Sequence, residues 1–87
     1  MKVNLWRRAI KDLKKIPKID QLAIAKKIRK LENDQEKIPE EKLKGFKNIS
    51  RIRVGRYRLV FIEVKGGIEI FLIAHRREVY ALLRQLF

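Results

Sequence analysis

Seven cations and no acid lie between Lys42 and Arg58, within and just before the run Leu43-Lys-Gly-Phe-Lys-Asn-Ile-Ser-Arg-Ile-Arg-Val-Gly-Arg-Tyr-Arg-Leu-Val-Phe61. They are Lys42, Lys44, Lys47, Arg51, Arg53, Arg56 and Arg58. A solvated charge run normally mixes signs, because close like charges repel. Here the arginines alternate with apolar residues at strand period, so Arg51 and Arg53 point one way while Ile52 and Val54 point the other. Such a strand offers a cationic face to a polyanion while its reverse packs a core. Phosphate is the natural anion, because the planar guanidinium fork matches its oxygens in pairs. A second segment, His75-Arg-Arg-Glu-Val-Tyr80, adds Arg76, Arg77, an aromatic ring and the only histidine. With an ordinary pKa of about 6.5, His75 is the one ready acid–base group, although a hydrogen-bonding role at a strand end fits it equally.

The rest of the composition narrows the chemistry. With 87 residues the chain is expected to form one domain, residues 1–87, around a small core. There is no cysteine, which removes disulfides, thiolate nucleophiles and cysteine metal sites together. One histidine and scattered acids argue against a zinc or calcium cage, so neither metal nor cofactor is expected. The opening Met-Lys-Val-Asn-Leu-Trp runs into Arg7-Arg8 without an apolar stretch, so the reading is no signal peptide, no membrane span and a cytoplasmic protein. The net charge of +13 draws the chain to nucleic acid, an anionic membrane surface or an acidic protein. Five of the ten acids (Glu32, Asp34, Glu36, Glu40 and Glu41) cluster in one stretch, leaving the remaining surface more positive still.

The elements that must carry these residues follow from periodicity. Val3 to Trp6 reads as a first strand, with Trp6 most simply in the core. Ala9, Ile10, Leu13 and Ile16 recur at helical spacing until Pro17 ends the helix. Asp20 suits an N-cap for a second helix, with Ile19 and Ile24 as a hydrophobic staple. Leu22, Ile24, Ala25, Ile28 and Leu31 give that helix a broad apolar face, and the short link makes the two helices a hairpin. From Asn33 to Glu41 the periodicity fails and Pro39 appears, so this is a loop. Ile49–Val54, Tyr57–Lys65 and Ile68–His75 read as antiparallel strands joined at Gly55-Arg56 and Gly66-Gly67. Val79, Leu82, Leu83 and Leu86 then mark a short C-terminal helix. The expected class is α+β in β-α-α-β-β-β-α order, with the helices, a two-helix hairpin and a short C-terminal helix, packed on one face of a small antiparallel sheet.

The run Lys44-Gly45, then Arg51-Ile-Arg-Val-Gly-Arg-Tyr-Arg-Leu-Val-Phe61, then His75-Arg76 and Tyr80, resembles the RelE/ParE superfamily of toxins. It covers about Leu43 to Tyr80, and the preceding strand-helix-helix order agrees. The resemblance implies a RelE-like microbial RNase fold and a toxin neutralised by a co-expressed antitoxin in a hetero-oligomer. The RelE branch cuts messenger RNA in the ribosomal A site without a metal, whereas the ParE branch poisons DNA gyrase. Arg51 and Arg53 match basic residues that grip the scissile phosphate, Arg58 an arginine that stabilises the transition state, Arg76 the basic residue after the last strand, and Tyr80 a tyrosine that orients the RNA. The founding RelE pattern has lysines at Arg51 and Arg53 and a longer segment before the tyrosine. Arginine is a poor general base, so the resemblance leaves the base unassigned.

Three functions fit these residues. The leading one is a ribosome-dependent endoribonuclease using Arg53, Arg58, Arg76, Tyr80 and His75, with Lys42, Lys44, Lys47, Arg51, Arg56, Tyr57 and Arg77 contacting RNA. The second is a gyrase inhibitor, and the third a basic RNA- or partner-binding module without catalysis. Arg51 and Arg53 also suit a solubilising patch, Arg58 an ordinary strand arginine, and Tyr80 the packing of the tail helix. Gly45 and Gly55 read as turn residues. The toxin readings require an acidic antitoxin able to mask +13.

Overall fold

The structure, a computed structural model, describes residues 1–38 and 41–87. The expected loop between Asn33 and Glu41 therefore contains two residues, Pro39 and Glu40, outside the described ones. The elements are β1 (Lys2–Leu5), α1 (Arg7–Lys14), α2 (Lys18–Glu32), β2 (Ser50–Val54), β3 (Tyr57–Val64), β4 (Gly67–His75) and α3 (Val79–Leu86). This is the β-α-α-β-β-β-α order anticipated from the sequence. The four strands form one sheet in the order β1-β4-β3-β2.

Two hairpins make β2, β3 and β4 antiparallel neighbours, as their short connections require. Gly55, at φ +58°, takes the first position of the β2–β3 turn, a conformation that only glycine adopts without strain. The β3–β4 turn is Lys65-Gly66, one residue earlier than expected, because Gly67 already pairs with Val64. β1 departs from the wholly antiparallel expectation and joins the β4 edge in parallel, Val3 opposite Ile68 and Leu5 opposite Ile70. Beyond its end, the Ile73 amide of β4 donates 3.1 Å to Asp12 Oδ2 of α1. A helix side chain thus satisfies a strand edge that would otherwise be unpaired.

Strand alternation feeds two cores. On one face Ile52, Leu59, Phe61, Ile68, Ile70 and Ile73 pack with Val3 beneath Ala9 of α1 and Ile24 and Leu31 of α2. On the other, Val60, Phe71, Leu72 and Ala74 pack with Val79 and Leu83 of α3 and with Leu43 and Ile49. A register shift at Val60/Phe61 leaves Phe71 without a partner in β3 and puts both Phe71 and Leu72 into the second core. The helices therefore cover both faces, correcting the one-face expectation. The sequence pattern of the C-terminal segment alone could not say which face it takes.

Several local expectations are also overturned. Pro17, not Asp20, occupies the N-cap of α2, and it makes no side-chain cap. Asp20 lies inside the first turn, where its charge still complements the helix dipole. Ile19 is 77% exposed and cannot staple to the buried Ile24, and Leu22 also faces out. Trp6 is half-exposed, its ring tilted 46° against Phe71 at 5.4 Å and its indole N–H donating 3.0 Å to Glu69.

Gly67 has a specific packing reason. A Cβ there would stand 1.9 Å from the Lys2 carbonyl oxygen, so a side chain would push β1 off the sheet. Gly67→Ala is expected to destabilise the fold by about 1–3 kcal/mol, the range for an overpacked site. Urea unfolding measures it; an unchanged midpoint would mean that β1 contributes little.

Candidate nucleic-acid interface

The two-residue turn at Gly55-Arg56 sets the register of β2 against β3. It places Arg53 directly opposite Arg58, and Arg51 opposite Val60. Side chains opposite each other in such a ladder share a face, their Cβ atoms about 5 Å apart. Arg51, Arg53 and Arg58 therefore stand on the face that α3 also packs against. At the C-terminal end of β4 the Arg76 amide donates 2.8 Å to the Arg56 carbonyl, fastening the start of the tail to the β2–β3 turn. The four guanidinium groups thus come from one hairpin and the segment tied to it.

Arg58 is the anchored member, only 9% exposed. Its Nη1 donates 3.0 Å to each of the carbonyls of Gly55 and Tyr57, so the guanidinium is bound to the turn it follows. Burial lowers its pKa from the ordinary arginine value, and the positive charges of Arg53, Arg51 and Arg76 lower it further. Arg53, Arg51 and Arg76 thus each lie close enough to Arg58 to repel its charge. Glu41 acts in the opposite sense.

Glu41 is the site residue that sequence reasoning missed. Its carbonyl accepts 3.0 Å from the Arg51 amide, Lys42 bridges Ser50, and the Leu43 amide donates 2.9 Å to the Ile49 carbonyl. Residues 41–43 therefore run antiparallel along the open edge of β2, with Asn48 at φ +65° in the turn between them. Glu41 Oε2 lies 3.3 Å from Arg51 Nε and 3.3 Å from Arg53 Nε. Glu41-Lys42-Leu43 carries no period-2 pattern, and three residues are too few to declare a strand, so nothing in the sequence announced this pairing.

The remaining residues divide. Tyr80 stands on α3 with its ring 6.3 Å from Phe46, and the tilted ring of Phe87 lies 6.5 Å from the same Phe46. This aromatic group lies on the α3 side of the sheet and stays partly exposed. Lys42, Lys44 and Lys47 are exposed along the segment before β2, and Arg56 and Arg77 are exposed at the turn and the tail. Tyr57 and His75 are not brought to the arginines. They oppose each other in the β3–β4 ladder, one position away from the Arg58–Ala74 pair and so on the other face, with rings edge-on at 5.8 Å. Both open onto a cleft of about 440 Å³ shared with Arg8, Asp12, Lys15 and Glu78, which contains none of Arg51, Arg53 and Arg58. His75 Nδ1 accepts 3.2 Å from the Arg77 amide, the structural use foreseen for it. Among the described residues no three His, Asp or Glu side chains gather closely enough to hold a metal ion. None of the described helices is long and apolar enough to cross a membrane.

Comparison with known proteins fits this architecture. The profile of a family described as the ParE toxin of type II toxin-antitoxin system, parDE, matches residues 3–80. Toxin RelE3 of Methanocaldococcus jannaschii is 38% identical over 85 residues, spanning 92% of this chain and 96% of that protein. Among solved structures, the RelB-RelE antitoxin-toxin complex from Methanococcus jannaschii contains a chain that superposes with a TM-score of 0.75 at 27% identity, covering 91% of this chain and 96% of that one. The isolated RelE toxin of E. coli shares the fold, with a TM-score of 0.63 at 22% identity over 98% of this chain and 97% of its own.

A cluster of crowded cations should be stabilised by a small polyvalent anion that binds the folded state alone. At ten times its dissociation constant, pyrophosphate should add about 1.4 kcal/mol to stability. Thermal melts against sodium chloride of equal ionic strength read this directly. The increment should largely vanish in Arg53→Ala; an equal increment in that variant would locate the anion elsewhere.

Proposed function

This chain belongs to the ParE toxin family of type II toxin-antitoxin systems, on its RelE-like side, and from that premise we propose that it is an endoribonuclease that cuts messenger RNA in the ribosomal A site. The observation that carries the proposal is the set of Arg51, Arg53 and Arg58 on one sheet face, with Arg53 and Arg58 opposite each other and Arg76 in the tail segment tied to their turn. RNA supplies its own nucleophile: the 2′-hydroxyl attacks the adjacent phosphorus, giving up its proton to water, and the 5′-oxygen leaves and takes a proton from water, which yields a 2′,3′-cyclic phosphate and a 5′-hydroxyl. The protein must then align sugar and phosphate and stabilise charge gathering on the phosphoryl oxygens. Arg58, fixed to the hairpin turn, and Arg53 opposite it take that charge, and Arg76 closes the set from the tail. Arg51 and the exposed Lys42, Lys44, Lys47, Arg56 and Arg77 track flanking phosphates. Tyr80, seated beside Phe46, offers a face for a splayed base, an interaction of about 1–3 kcal/mol. His75 and Tyr57 face the opposite cleft and receive no part in the reaction. No metal or cofactor enters the scheme, and the site of action is the cytoplasm, where translation occurs.

The partner of this toxin is an acidic antitoxin. RelB accompanies RelE in the complex from Methanococcus jannaschii, and an acidic chain is what a charge of +13 selects. Tyr80, Leu86 and Phe87 leave apolar surface along α3 for an amphipathic helix. The same charges that bind RNA would then steer the antitoxin. Its association rate, followed by stopped-flow fluorescence, should fall steeply between low and high salt. A rate indifferent to ionic strength would exclude electrostatic steering.

The gyrase-directed reading draws on the name of the matching family, and one assay separates the two. Primer extension on messages from a translating extract should show cuts at codon-defined positions with the wild-type protein. Arg58→Ala should lose about 3 kcal/mol of barrier lowering, roughly a hundredfold in rate, by analogy with a lost oxyanion donor. Intact messages with trapped gyrase–DNA complexes would overturn the nuclease proposal.

A further inference from the structure

We propose that Glu41 is a resident anion occupying the phosphate seat of the free protein, and that a phosphodiester of RNA must displace it to bind. The inference rests on the reading above, that the arginine face receives an RNA phosphate. One carboxylate oxygen, Glu41 Oε2, lies 3.3 Å from Nε of both Arg51 and Arg53. These Nε–H groups are donors of the kind that take phosphate oxygens, and a carboxylate is the side-chain anion closest to phosphate in its acceptor geometry. Both the Arg53 and Glu41 side chains are substantially exposed, at 59% and 37%. The contact can therefore open without unfolding anything.

The backbone explains how it opens and closes. Glu41 is held by its own carbonyl, on the Arg51 amide, and by the neighbouring Leu43–Ile49 hydrogen bond. Its main chain stays beside β2 whatever the side chain does. When the seat is empty of RNA, the carboxylate relieves repulsion among Arg51, Arg53, Arg58 and Arg76. When a phosphate arrives, the carboxylate rotates toward solvent and the arginines exchange one anion for another. The contact thus lowers affinity for isolated phosphates and favours a ligand that engages several of the cations at once.

A brace and an occupant predict opposite signs. If Glu41 merely held Arg51 and Arg53 in formation, removing its charge would weaken RNA binding. As an occupant, its removal tightens binding. The probe is a short single-stranded RNA with 2′-O-methyl sugars, which cannot supply the attacking hydroxyl, titrated by fluorescence anisotropy into purified free protein. Glu41→Gln should bind about three- to fivefold more tightly than wild type, the upper end of the scale on which exposed ion pairs compete. Glu41→Ala should behave alike and serves if the glutamine variant folds poorly. Glu36→Gln removes an equal charge from a carboxylate paired with Lys27 and Lys30 instead, and should leave affinity within twofold. Unchanged or weaker binding by both Glu41 variants would overturn the proposal, as would equal tightening by Glu36→Gln. Arg58→Ala should weaken binding in every background. If it does not, the phosphate seat itself is misplaced and the nuclease reading fails with it, whereas an Arg58 effect without a Glu41 effect sinks the occupant proposal alone.

Discussion

Two guanidinium groups directly opposite each other in an antiparallel ladder repel, and like charges so placed destabilise a sheet. Arg53 and Arg58 hold that position in the β2–β3 hairpin. Most of what surrounds them can be understood as bearing this repulsion or using it. Arg58 keeps its charge in a nearly buried place by donating to two carbonyls of its own turn. The two-residue turn at Gly55-Arg56 cannot slip by one residue without turning every side chain of β2 to the wrong face. The turn that joins the strands therefore also fixes the distance between the charges.

The sheet is rigid enough to hold the arrangement because both of its faces are packed. The helical hairpin covers the side bearing Ile52, Leu59 and Phe61. On the other side α3, Leu43 and Ile49 pack against Val60, Phe71, Leu72 and Ala74, while on that same face Arg51 stays half-buried and Arg53 exposed. Partial cover suits the proposed phosphate site: full burial of the cations would be prohibitive, while full exposure would surrender the electrostatic strength of a partly desolvated site. In the proposed function, repulsion among the cations becomes affinity when a phosphate enters.

The strand alternation was plain in the sequence, because Arg51-Ile52-Arg53-Val54 carries its two faces in adjacent letters. Given the two-residue turn, counting outward from it places Arg53 opposite Arg58, as the structure has it. The same count separates Tyr57 from Arg58, since neighbours along a strand face opposite ways. Grouping Tyr57 and His75 with the arginines by residue type ignored that parity. What stayed hidden depends on distant parts of the chain. Parallel pairing of β1 requires Gly67 to accept the Lys2 carbonyl against it, and nothing local to either residue announces the other. The face chosen by α3, the exposure of Ile19 and Trp6, and the placing of Glu41 beside β2 are likewise outcomes of packing that periodicity does not encode.

The central claim is that Arg51, Arg53, Arg58 and Arg76 act as one anion site. Side-chain nitrogen spectra of arginine-labelled protein, titrated with an uncleavable RNA trinucleotide, test it most directly. The account predicts that the four Nε resonances shift together along a single binding curve while Arg7, Arg8 and Arg29 stay still. Shifts spread evenly over all the arginines, or a separate curve for each of the four, would contradict it.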